Sequence, residues 1–274
     1  MRMLQWSALA AALAAISLAG ENPTGTPAAV ASEPAPREIT SDEARAWKPR
    51  VDIARQYANS RAGRVTFAAF DMRGRFHRFD GNHSVPMAST FKVMLMVAYL
   101  RQRSVAGREL TDSEHALIKP MIRRSDNESA TRIRDMLGRG PIDRLADKAG
   151  MRSFQWHAIW GYCRTTARDQ ALFMRNLGSF VPRRHRQYAL HQLAEIVPSQ
   201  RWGIGKVDLP RSWRLHFKGG WGSGSGAVDH QVALLRNGPR RIGLAVMTEG
   251  NVDHDYGKQT LKGVFRRLLR GLPG

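Results

Sequence analysis

Pro86-Met87-Ala88-Ser89-Thr90-Phe91-Lys92 sets a serine three residues ahead of a lysine at the point where a helix begins. From Thr90 to Leu100 the chain is apolar almost all round, with Lys92 as its single charge, and a helix apolar on every face is a buried one. Burying an ammonium costs free energy, and that cost lowers a lysine's pKa toward the range of a base. Residues i and i+3 share a helix face, so the spacing predicts that the Lys92 amine reaches the Ser89 hydroxyl. The serine also lies beside free backbone N–H groups at the positive end of the helix, which suits it to attack a carbonyl. The segment reads as an activated acylating serine.

Ser-x-x-Lys alone recurs in helices by chance, so two further motifs carry the weight. Arg124-Ser125-Asp126-Asn127 opens a helical stretch, and Phe217-Lys218-Gly219-Gly220-Trp221 ends a run of strand character. Ser-x-x-Lys, Ser-Asp-Asn and Lys-Thr-Gly together mark class A β-lactamases and penicillin-binding proteins, and the chain resembles that family in all three, in the same order. Pro86 to Val93 resembles its nucleophile segment, and Val228 to Leu235 and Arg241 to Thr248 resemble the two strands after its third motif.

The resemblance implies roles. Ser89 is the nucleophile and Lys92 its base or electrostatic support. Ser125 relays a proton to the leaving amine, while the charge of Lys218 holds that hydroxyl and favours an anionic substrate. Asn127 orients Lys92 and binds the substrate's amide carbonyl. Gly220 and Trp221 belong to the substrate-binding strand, and the N–H groups of Ser89 and Trp221 form the oxyanion hole.

Two departures from the family pattern qualify the activity. Gly219 stands where the family has Thr or Ser, so a hydroxyl that helps to hold a substrate carboxylate is missing. The family also carries Glu-x-x-Leu-Asn in a loop after Ser-Asp-Asn, whose glutamate activates the water that frees the acyl-enzyme. From Ala149 to Arg168 this chain has no Asp or Glu. His157 is the residue of that shortened loop suited to accept a proton near neutral pH. Without a deacylating base the enzyme acylates and stalls, as penicillin-binding proteins do with β-lactams.

The N-terminus has one arginine and then an apolar run, Leu4 to Leu18, too short to span a membrane comfortably and matched to a secretory signal over residues 1–20. Glu21 stands where a lipoprotein would carry its lipidated cysteine, which argues against a lipid anchor. Residues 21–40, rich in Pro and Ala, have the composition of a disordered linker, leaving 41–274 as the folded hydrolase domain. The single cysteine, Cys163, excludes an internal disulfide and reads as a small buried hydrophobe. The net charge of +20 favours anionic partners. For an exported protein these are wall polymers and phospholipid headgroups, and no zinc-finger or RNA-recognition pattern argues for nucleic acid.

Ser41-Asp42-Glu43 offers a cap to a first helix ending near Gly63. Val65 to Asp71 and Phe76 to Phe79 form a hairpin leading into the nucleophile helix. Helical periodicity then prevails from Leu110 to about Leu209, with a capping box at Thr111-Asp112-Ser113-Glu114, helices over Glu128–Leu137, Ile142–Ala149, Thr166–Leu177 and Tyr188–Ile196, and stops at Gly138 and Gly150. Three strands follow, at Arg214–Phe217, Val228–Leu235 and Ile242–Thr248, and an amphipathic helix over Tyr256–Leu269. Strands bracketing a run of helices predict an α+β fold. The resemblance specifies a five-stranded antiparallel sheet of β-lactamase/transpeptidase type, flanked by the terminal helices and carrying an inserted helical lobe.

The expected activity is that of an exported serine hydrolase, acylated at Ser89 by a β-lactam or a related amide or ester and releasing the acyl group by hydrolysis. The alternative is a D-Ala-D-Ala carboxypeptidase or a penicillin-binding protein without turnover. The expected partner is a β-lactam or a small molecule derived from peptidoglycan, with anionic wall polymers on the basic surface and the protein itself a monomer. Asp253-His254-Asp255 precedes the last helix, where acids satisfy free N–H groups, so no metal or cofactor is implied.

Overall fold

The computed structural model describes residues 47–222, 224 and 226–274. The signal, linker and Ser41-Asp42-Glu43 cap lie outside the described residues. The first helix, α1, spans Trp47–Asn59 and buries Trp47, Val51, Ala54 and Ala58, the stripe that its spacing dictates. Strands β1 (Arg64–Phe70) and β2 (Phe76–Phe79) form the expected hairpin. Late in the chain β5 (Arg214–Gly222), β6 (Val228–Asn237) and β7 (Arg240–Glu249) form an antiparallel meander. The sheet closes as β2-β1-β7-β6-β5, with β1 paired to β7 in register Phe67↔Val246.

Helix α2, Phe91–Leu100, is buried at every one of its 10 positions, Lys92 included. Around it stand α3 (Asp112–Arg123), α4 (Asn127–Leu137) and α5 (Gly140–Lys148). The capping box forms as read: Thr111 accepts from the Glu114 N–H, and the Glu114 carboxylate accepts from the Thr111 N–H. Helix α6 (Ala167–Arg175) packs on β1, β6 and β7, and α7 (Arg186–Ala194) on β5. The last helix, α8 (His254–Leu268), packs on α1 and on β6 and β7.

Two features depart from the sequence reading. Ser84–Pro86 (β3) pairs with Arg164–Thr166 (β4) as a second small sheet, tying the chain ahead of Ser89 to the end of the 149–166 loop. The strand read as ending at Phe217 continues to Gly222, because Lys218-Gly219-Gly220-Trp221 stays paired to β6. That extension carries the third motif along the outermost strand, where the backbone groups of the free edge face the nucleophile turn rather than another strand.

Candidate active site

Ala88–Thr90 form a single 3-10 turn before α2, so Ser89 sits at the mouth of a buried helix and is 8% exposed. Ala88 adopts φ 46°, in the left-handed region that a side chain disfavours. Ser125 does the same at φ 62°. Two non-glycine residues in that conformation flank one site, and each costs about 1 kcal/mol or more that the surrounding packing must supply.

The Lys92 ammonium donates to the Ser125 carbonyl at 2.5 Å, to Asn127 Oδ1 at 2.7 Å and to Ser125 Oγ at 3.2 Å. Its three hydrogens are thus engaged. The Ser89 hydroxyl, one helical turn away, has no hydrogen bond among the described residues; resting sites often close that last bond only with substrate present. From the other side Lys218 Nζ donates to Ser125 Oγ at 2.9 Å and to the Gly219 carbonyl at 2.6 Å. One hydroxyl therefore lies between two lysines, both fully buried or nearly so.

Two ammonium groups on one oxygen cannot both stay charged without cost. Burial lowers Lys92 from 10.5 to about 7, partly opposed by the charge of Asp126. Burial pushes Lys218 well down, and the neighbouring Lys92 charge adds to it. Near neutral pH a neutral amine and a hydroxyl are then in contact, which is what proton transfer needs. Asp126 does not enter the site; its carboxylate caps α4 by accepting from the Ser129 N–H at 2.7 Å.

Gly220 brings β5 onto the nucleophile turn. A Cβ there would lie 2.8 Å from the backbone nitrogens of both Ser89 and Thr90, so the close approach requires glycine. His230 braces the same region from β6: its Nε2 donates to the Pro86 carbonyl at 2.8 Å while Nδ1 accepts from the Thr248 N–H at 3.2 Å. Complete burial lowers His230 to about 4, which keeps the ring neutral.

Gly219 is also explained by contact. A Cβ at this position would meet the Trp202 ring at 2.6 Å, so the tryptophan occupies the space a Thr or Ser side chain would fill. The 149–166 loop is an aromatic plug: Phe154 and Trp156 pack on Phe91, and the Trp160 ring lies over Lys92 Nζ at 4.9 Å while its Nε1 donates to Thr131. His157 is turned elsewhere. Its Nδ1 accepts from the Ile159 N–H at 3.0 Å and its ring meets Tyr162, and it touches none of Ser89, Lys92 and Ser125 among the described residues. Cys163 is buried beneath this loop, and burial pushes its thiol up to about 11.

Lys92, Asn127 and Lys218 thus gather around Ser125, Ser89 lies one turn from Lys92 with its backbone nitrogen against Gly220, and Trp221 is next on the same strand. Trp160 and Trp202 are contributors the sequence analysis did not assign. Asp253 caps α8 and Asp255 pairs with Lys258, while His254 bonds Asp229; no group of three His, Cys, Asp or Glu suited to a metal occurs among the described residues.

The sequence profile of a family described as the β-lactamase enzyme family matches residues 110–270. Among solved structures, the β-lactamase from Sphaerobacter thermophilus DSM 20745 is 22% identical, with a TM-score of 0.71 over 82% of this chain and 97% of its own. The class A β-lactamase from Mycobacterium abscessus is 20% identical, with a TM-score of 0.68 over 81% and 98%. An ancestral class A β-lactamase is 21% identical, with a TM-score of 0.67 over 80% and 98%. No curated protein matches the chain.

Proposed function

The chain belongs to the β-lactamase enzyme family, and from that premise we propose that it is a serine hydrolase acylated at Ser89 by a β-lactam or a related amide or ester. The observation that carries the reading is the convergence of Lys218 and of Lys92, one turn along from Ser89, on the Ser125 hydroxyl. Neutral Lys92 takes the Ser89 proton as Oγ bonds to the acyl carbon. The oxyanion gathers on the N–H groups of Ser89 and Trp221, and Ser125 passes a proton to the departing nitrogen as the amide C–N bond breaks.

Hydrolytic release needs a base to activate water. No carboxylate lies in the 149–168 segment, and the Trp160 ring covers Lys92. That observation favours the second reading, a carboxypeptidase-like or penicillin-binding protein that holds its acyl group. The N-terminal segment supports export without a lipid anchor, and the +20 charge supports contact with anionic wall polymers. Mixing the protein with a chromogenic cephalosporin separates the readings. Steady colour development indicates turnover, and a single stoichiometric burst indicates a trapped acyl-enzyme. Colour unchanged by Ser89→Ala overturns the assignment.

A further inference from the structure

The strand that carries Lys218 turns a second face toward α8, and its chemistry runs against the rest of the protein. A cavity of about 350 Å³ opens there, lined by Trp221, Asp229, Asn251, Asp253 and His254 among others. In a chain with 43 Lys and Arg against 23 Asp and Glu, no Lys or Arg lines it among the described residues. Trp202, Trp221 and His254 meet edge-on or stacked at ring separations of 5.5–5.9 Å.

Asp229, Asn251 and Asp253 contribute oxygens to the lining, beside the ring nitrogens of His254 and Trp221. Asp229 is held by His254 and by Asn251 Nδ2, which also donates to Thr248 Oγ1 at 2.7 Å. Both Nδ2 hydrogens are spent, so the amide orientation is fixed and Oδ1 remains an acceptor. Asn251 is 7% exposed, and its Oδ1 has no hydrogen-bond partner among the described residues. A buried acceptor left in that state is destabilising until a donor reaches it. Two groups of the third motif are turned away from an anion here: Trp202 excludes a hydroxyl at 219, and Lys218 is 1% exposed with its bonds turned inward.

We propose that this cavity binds a cationic nitrogen, an ammonium or guanidinium, on the part of the acylating molecule that lies beyond Trp221. The proposal rests on the serine-hydrolase reading and names its substrate class. Aromatic faces attract a cation once it is partly desolvated, and the Asp253 carboxylate accepts its hydrogens at the mouth of the cavity. A carboxylate in the same place would face the Asp253 carboxylate, a like charge.

Three probes on one cephalosporin nucleus test this: the free 4-carboxylate, its methyl ester and its 2-aminoethyl amide. The expected order of Ser89 acylation rates is amide above ester above carboxylate, with at least a tenfold gap between the ends. Asp253→Ser keeps a helix cap and removes the charge; it lowers the amide-to-ester ratio about threefold, within the range of a partly exposed charge pair. A carboxylate that acylates as fast as the amide, or a ratio that Asp253→Ser leaves in place, overturns the proposal. Calorimetric binding to Ser89→Ala separates the two levels. Tighter binding of the amide than of the carboxylate supports the cavity whether or not Ser89 is ever acylated, and equal or weaker binding overturns it. Failure of all three probes to label the wild-type protein overturns acylation by a β-lactam alone.

Discussion

Gly220→Ala is the most informative single change, because its effect is worked from one contact. The added Cβ would stand 2.8 Å from the nitrogens of Ser89 and Thr90 and 3.2 Å from the Met87 carbonyl. These are backbone atoms of a turn between β3 and a buried helix, so they have little room to give. Ordinary contacts begin near roughly 3.5 Å, and β5 must retreat by about 0.7 Å. Overpacking of this kind costs about 1–3 kcal/mol, or a fall in Tm of roughly 3–10 °C for a domain of this size. Oxyanion donors act at about 2.7–3.1 Å from the developing charge, and losing one costs about 10²–10³ in rate. Stopped-flow acylation by a chromogenic cephalosporin is expected to slow by about that factor, while calorimetry shows the protein still folded. Acylation within threefold of wild type would refute the close approach of β5 to the nucleophile turn.

Further outcomes follow from the same geometry. Lys92 works as a base when neutral, and its pKa is lowered from 10.5 to about 7, so the acylation rate rises with pH through about 7 and levels off above it, as a rate profile will show. The sign for stability agrees: the unfolded chain holds that proton up to 10.5, so stability increases between about 7 and 10.5, and Lys92→Met flattens that rise in urea titrations. Trp160→Glu sets a carboxylate where the ring now lies over Lys92, and loss of the adduct, followed by intact mass, is expected to quicken at least tenfold, the low end of general-base catalysis being about 10². Gly219→Ser drives its side chain into Trp202 and lowers Tm by a few degrees, at about 1–3 kcal/mol. Cys163, with its thiol raised to about 11 and buried, resists iodoacetamide until the protein is unfolded.

Much of the fold is legible locally because local rules decide it. The stripe of α1, the Thr111–Glu114 box and the all-apolar α2 each follow from period and capping. The β3–β4 pair is not legible, since three-residue strands ending at Pro86 carry no period and their pairing spans the 84–166 separation. The end of β5 is missed for another reason: two glycines interrupt the strand character after Phe217, although their missing side chains make room for Trp202 and the nucleophile turn.

The site divides along the same line. Ser89 and Lys92 are legible from the spacing of one helix, and Ser125, Asn127 and Lys218 from the resemblance of their short motifs to the family's. What covers them comes from elsewhere in the chain. Trp160 reaches Lys92 across 68 positions of sequence, Trp202 reaches Gly219, and Asp229 meets His254. Tertiary packing alone creates these contacts, and the left-handed φ of Ala88 and Ser125 has no signal in residues that are not glycine. The loss of the hydroxyl at 219 looks like a deleted contact in sequence. In three dimensions it is the consequence of a tryptophan.

The central claim is that one hydroxyl, prepared by two lysines and Ser125, takes the acyl group. Brief exposure to a β-lactam, digestion and tandem mass spectrometry test it most directly. The expected result is a mass increase of one intact lactam on Ser89, within the peptide ending at Lys92, absent after Lys92→Met. Label on another residue, or an unlabelled Ser89 in an otherwise modified protein, would contradict it.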